Sequence, residues 1–355
     1  MKKYRRLLIL FIFSAVIVWG LLRLGNVNLN AATLAQVDWR WLLLSIVVFY
    51  SGIFVRGLRW QRILRTMDWR LGYIYTQTLL VAGFFLSLVL PARLGDVGRV
   101  VMLKRDHQIP FAQGIASLAA ERALDVFAIL VLAIAGAVWA LQGRVPPEIL
   151  KLITGTAVLL GIGLIGLLAI PGLEKWLRHP GNLETWTPVR LWSIYQKVLD
   201  FGFNLINGVR ALGRHPLSLA IAVMESLYIW LCDALIVYLG LLSVGVAASL
   251  SVSMFAAMIA DLVTAVPITP AGLGQFEAAL IWLLTQFNVT TAQASLTILL
   301  VRLVNLWLFL PIGAIVTFGF GFSSMLNLTG TETQQATDDT TLTPSPKLAK
   351  SLDKA

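Results

Sequence analysis

Apolar residues fall in long runs separated by short polar segments: Leu7–Leu22, Trp41–Val55, Leu71–Leu90, Val126–Leu141, Leu152–Pro171, Leu217–Leu242, Ser243–Ala260 and Leu303–Phe322. A helix crosses a bilayer with about 20 mostly apolar residues, so several runs predict complete spans once their flanks are added. Lys2, Lys3, Arg5 and Arg6 precede the first run with no small-x-small cleavage site after it, which reads as a retained span with a cytoplasmic amino terminus. Further basic residues crowd Arg56–Arg70, Arg93–Arg105 and Lys175–Arg214. All three segments lie inside only if Leu71–Ala120 enters and leaves by one face, as a re-entrant pair. Irregular backbone at membrane depth survives only where protein or a water-filled cavity surrounds it. That region is therefore expected to be the working part.

An internal repeat sharpens this picture. Pro91-Ala92-Arg93-Leu94-Gly95-Asp96 is echoed by Pro270-Ala271-Gly272-Leu273-Gly274-Gln275, Ala112-Gln113 by Ala292-Gln293, and Arg122-x-x-Asp125 by Arg302-x-x-Asn305. The nearly constant offset indicates a duplication. With the basic segments inside, the second unit starts outside, so the repeats are expected to be inverted. The expected architecture is an all-α polytopic membrane protein of about six full spans plus two re-entrant helical hairpins. Its membrane domain covers 1–328, with units of about 7–141 and 152–322. Ser243–Phe287 is long enough to cross twice instead. Within 172–214, apolar residues from Leu191 to Val209 recur at helical spacing, which fits an interfacial amphipathic helix or a packed cytoplasmic linker. Residues 329–355 read as a disordered cytoplasmic tail. Both termini are expected on the cytoplasmic side of the plasma membrane.

Composition removes other classes. Hydrophobic residues make up 58% and charged residues 13%, about half the usual charge, which excludes a soluble domain. The net charge of +10 lies between apolar runs rather than on a module that could hold nucleic acid. One cysteine and three scattered histidines leave no disulfide and no metal-ligand spacing, so neither metal nor cofactor is expected.

Charges inside apolar runs are costly and tend to serve function. After the break at Pro91 and Gly95, Arg93, Asp96 and Arg99 stand three apart, where a half-helix end flanked by arginines suits a phosphate; a headgroup-contacting loop is the bland alternative. Glu121, Arg122 and Asp125 share one helix face and read first as an internally paired cluster, second as a proton or cation site. Pro270, Gly272 and Gly274 break the second hairpin, followed by Gln275 and Glu277. Arg302 and Asn305 then share a face inside an apolar run, and Arg302 needs Asp261 or Glu277 as partner. Glu225 and Asp233 could line a cavity or pair with Arg302. Arg56, Arg59, Arg62 and Arg65 with Trp60 read as a positive-inside anchor with an aromatic belt residue.

These landmarks resemble the transmembrane domain family of lysylphosphatidylglycerol synthases. The likeness rests on Arg59-Trp60, Leu90 to Asp96 with Arg99, Glu121-Arg122-x-x-Asp125, and Pro270 to Gly274 followed by Glu277. In larger members this domain is thought to move an aminoacylated phospholipid while a separate soluble domain makes it. The 33 residues after Phe322 leave no room for such a domain, so the resemblance implies translocation without synthesis. The expected function is ATP-independent flipping or scrambling of an anionic, modified or otherwise polar lipid, with no enzymatic activity. Arg93, Arg99 and Arg302 would contact phosphate; Glu121, Asp125 and Glu277 would balance charge. The alternatives are a membrane transferase acting on a lipid-linked substrate and a scaffold for a lipid-modifying enzyme. Membrane lipids are the expected partners.

Overall fold

The computed structural model describes residues 37–89, 94–140, 210–264 and 272–319, with isolated positions between 150 and 208 and Thr269. These form α1 (Trp39–Thr66), α2 (Tyr73–Val89), α3 (Leu94–His107), α4 (Phe111–Ala140), α5 (Pro216–Ser243), α6 (Leu250–Val263), α7 (Gln275–Thr285), α8 (Thr291–Arg302) and α9 (Phe309–Gly319). A π turn, Leu303–Trp307, joins α8 to α9. Among the described residues every regular element is helical. Among the described residues, four helical stretches are long and apolar enough to cross a membrane: α1, α4, α5 and Thr291–Gly319. The spans expected at 7–22 and 152–171, and the tail at 329–355, lie outside the described residues.

Local chemistry sets the boundaries. The Asp38 carboxylate accepts from the Arg40 amide at 3.0 Å and caps α1. Pro216 opens α5, where its missing N–H is harmless. Thr290 and Gln293 cap α8 reciprocally, the Gln293 amide donating to Thr290 Oγ1 at 3.3 Å and the Thr290 amide to Gln293 Oε1 at 3.1 Å. Pro311 cannot donate to the Trp307 carbonyl, and just before it the chain widens, Leu308 N–H reaching Leu303 O at 2.9 Å. That widening is the π turn.

The helices repeat as long, short, short, long. The first unit is α1–α4 and the second α5–α9. α1 and α5 begin 177 positions apart, and in that register Gly52 and Ile229, Gly57 and Ala234, Arg59 and Ile236, Trp60 and Val237, and Leu64 and Leu241 are buried in pairs. α4 and α8 begin 180 apart, and Glu121 with Val301, Leu124 with Val304, and Ala133 with Gly313 are likewise buried in pairs. Contacts repeat too. α1 packs along α5, α2 of the first unit packs on α9, and α6 of the second packs on α4. The α4–α6 and α2–α9 crossings are each seated on a glycine. A Cβ at Gly136 would lie 2.7 Å from Phe255 N, and one at Gly313 the same distance from Phe85 Cβ. Large apolar side chains such as Val47, Val138, Trp139, Leu217 and Ile315 face outward, as lipid contact requires. Leu212, near the end of the 172–214 segment for which an amphipathic helix or a packed linker is expected, is buried in one apolar cluster with Ile63, Met67 and Ala116.

Candidate functional site

The first unit holds a closed cluster of charges. Arg99 of α3 is fully buried; its Nη2 donates to Asp96 Oδ1 at 2.7 Å and its Nη1 to Glu121 Oε2 at 3.3 Å. Its guanidinium lies 4.9 Å from the Trp60 ring centroid, and its stem crosses Gly83, where a Cβ would come within 2.6 Å. Arg59 of α1, also fully buried, donates through Nη1 to Asp125 Oδ1 and Ser226 Oγ, both at 2.7 Å, with Nη2 3.6 Å from Glu121 Oε1. Trp230 Nε1 adds a donor to Asp125 Oδ1 at 2.9 Å. Arg122 closes the set at 3.5–3.6 Å from Asp96, Glu121 and Asp125, and its side chain is 39% exposed. Three guanidinium groups thus meet three carboxylates, the condition under which buried charge is tolerated.

Asp96 and Glu121 hold Arg99 inside the protein. The geometry also corrects two expectations. Gly95 does not break the chain: it lies in the first turn of α3, and its missing Cβ matters because one would collide with the Gly83 carbonyl and Ser87 of α2. The arginines from Arg56 to Arg62 are not a headgroup anchor, nor is Trp60 a belt residue. α1 runs on to Thr66 and carries them into the protein, where Arg56 pairs with Asp233 at 2.6 Å and Arg62 grips Glu225 at 3.1 and 2.9 Å. Asp233 and Glu225 are therefore bound to α1 rather than to Arg302. The missed signal was spacing: Arg56, Arg59 and Arg62 recur every three residues on one helix face, opposite two acids eight apart on α5. Arg93, Pro91 and Pro270 lie outside the described residues.

The second unit is built differently around its Arg302. Gly272 and Gly274 adopt φ of 65° and 87°, a left-handed backbone that favours glycine, and so bring the chain into α7. Gln275 braces that turn by accepting from Thr269 N at 3.2 Å. Glu277 Oε2 accepts from the Gly274 amide at 2.7 Å, while Oε1 takes Arg302 Nε at 2.6 Å. Beside this pair opens a cavity of about 160 Å³, lined by Asp233, Asp261, Thr264, Arg302 and Asn305 together with Phe49, Trp230, Phe276, Ile236 and Val301. Arg302 Nη2 and Asn305 Oδ1 are buried without a hydrogen-bond partner in the protein.

The sequence matches the lysylphosphatidylglycerol synthase TM region over residues 7–313. The chain belongs to that family. It is 28% identical to a UPF0104 membrane protein of Methanocaldococcus jannaschii, across 66% of this chain and 93% of that one. A UPF0104 membrane protein of Pyrococcus horikoshii is 23% identical, across 89% and 96%. Glycosyltransferase AglD of Haloferax volcanii is 27% identical over 71% of this chain, which spans only 44% of AglD. No solved structure gives a significant match. This family member is a membrane protein with several transmembrane helices, and its buried charges therefore sit among apolar helices rather than in a soluble core.

Proposed function

We propose that the protein moves a polar lipid between membrane leaflets without ATP. The observation that supports this most is the polar cavity among the apolar helices of the second unit, with Phe49 of the first unit on its wall. Such a cavity shelters a headgroup while the acyl chains stay in lipid. In this reading the units are inverted, as in many transporters, the short helices α2–α3 and α6–α7 form hairpins entering from opposite faces, and both termini are cytoplasmic in the plasma membrane. The protein carries out no covalent chemistry. Arg302 and Asn305 face the headgroup, and the exposed Arg122 with Asp96 forms the outer approach. The test is purified protein in vesicles bearing a fluorescent phospholipid in both leaflets, with a quencher added outside. Quenching should reach both leaflets, and Arg302→Gln should slow it about tenfold, a barrier change of ~1.4 kcal/mol. Quenching confined to the outer leaflet would reject the reading.

A second reading, transfer onto a lipid-linked substrate, is favoured by the likeness to a protein named as a glycosyltransferase. The match takes in less than half of that protein, so its activity does not travel with the match. Product formed from a labelled lipid-linked precursor by the purified chain would put this reading first.

A further inference from the structure

The cavity occupies the place in the second unit that the charge cluster fills in the first. In the registers that align buried positions, Arg59 corresponds to Ile236, Glu121 to Val301, Arg122 to Arg302 and Asp125 to Asn305. All four second-unit residues line the cavity. The long Arg59 side chain and the Glu121 carboxylate have shorter apolar counterparts, and the space they would take stands open. Arg302 keeps its charge, and Asn305 stands where the first unit has Asp125, the acid that accepts from Arg59 and Trp230. Asn305 also sits on the π turn, a distortion that often marks functional sites.

We infer that this cavity binds a neutral, polyhydroxylated headgroup, such as glycerol or a hexose, on the lipid that the protein moves. The inference deepens the transport reading and rests on it. Arg302 and Asn305 both line the cavity, and each carries a buried polar atom, Nη2 and Oδ1, without a hydrogen-bond partner in the protein. A bare phosphate would take the donor but meet Asp233, Asp261 and the Asn305 oxygen. An ammonium would suit those oxygens but leave the Arg302 donor unmet and stand beside a guanidinium. Hydroxyl groups donate and accept together, so a polyol suits a lining that mixes the Arg302 guanidinium with the Asn305 amide and the acids Asp233 and Asp261, while Phe49 and Trp230 offer apolar walls to its C–H faces. The volume fits one ring or a glycerol: a cavity of roughly 150 Å³ takes benzene.

The experiment is binding by the full-length chain in detergent, with Trp fluorescence and native mass spectrometry as readouts. The probes are short-chain phosphatidylglycerol, monohexosyl diacylglycerol, phosphatidic acid and phosphatidylcholine. At least one hydroxylated lipid should bind about tenfold more tightly than both of the others, and which one does identifies glycerol or sugar as the source. Asn305→Leu should abolish that preference without lowering the melting temperature, since it removes an orphan polar atom. Ile236→Phe, which fills the space without touching a polar group, should do the same. Equal binding of all four lipids, preference for phosphatidic acid or phosphatidylcholine, or an unchanged preference in both variants would overturn the inference and leave a water-filled cavity. Headgroup preference without lipid movement sinks the transport reading alone; movement without preference sinks only this inference.

Discussion

The two units share helix order, register and cross-packing, yet one closes on itself and the other stays open. In the first, Arg59 and Arg99 fill the centre and the carboxylates Asp96, Glu121 and Asp125 neutralise them. In the second, Ile236 and Val301 stand where Arg59 and Glu121 would be, and the retained Arg302 is tied back by Glu277 beside an empty volume. Apolar Ile236 and Val301 in place of Arg59 and Glu121, with Asn305 in place of Asp125, thus separate a lock from a pocket. Stability is expected to concentrate in the first unit and recognition in the second.

The largest expected difference lies at the matched pair Arg59 and Ile236. Arg59→Leu strands Asp125 and Glu121 in the interior and should cost about 3–5 kcal/mol, whereas Ile236→Val should cost about 0.5–1.5 kcal/mol. Thermal unfolding in detergent reads both, and equal losses would break the comparison. Next come the glycines that open α3 and α7. Gly95→Ala drives a methyl group into the Gly83 carbonyl and should cost about 1–3 kcal/mol. Gly274→Ala meets nothing within 4 Å, and its penalty of about 1–2 kcal/mol comes from the left-handed backbone alone. Arg122→Gln is the smallest: its exposed side chain reaches three carboxylates only at 3.5–3.6 Å, and the loss should stay below about 1 kcal/mol.

Much of this was legible in the chain. The runs Trp41–Val55, Val126–Leu141, Leu217–Leu242 and Leu303–Phe322 mark the four long helices because apolar length is the primary requirement for spanning a bilayer. The offset between Arg122-x-x-Asp125 and Arg302-x-x-Asn305 anticipates the register of α4 against α8, and Glu277 is one of the four acids, with Asp261, Glu225 and Asp233, that the sequence offers to Arg302. The arginines of α1 were misread because a basic row after an apolar run looks the same whether it meets headgroups or acids on another helix. Only the tertiary pairing with Asp125, Glu225 and Asp233 separates the two. Gly95 was misread for a related reason: freedom of backbone and absence of a Cβ write the same letter. The cavity itself has no signature in either unit taken alone. It emerges when Ile236 and Val301 are set against Arg59 and Glu121.

The central claim, that the second unit holds the working site and the first a structural lock, is tested most directly by lipid movement in vesicles with Arg302→Gln and Arg122→Gln measured side by side at matched folded protein. The account predicts that the wild type exposes both leaflets to an external quencher, that Arg302→Gln slows this about tenfold, and that Arg122→Gln slows it much less. Movement lost equally in both variants, or no movement above protein-free vesicles by the wild type, would contradict it.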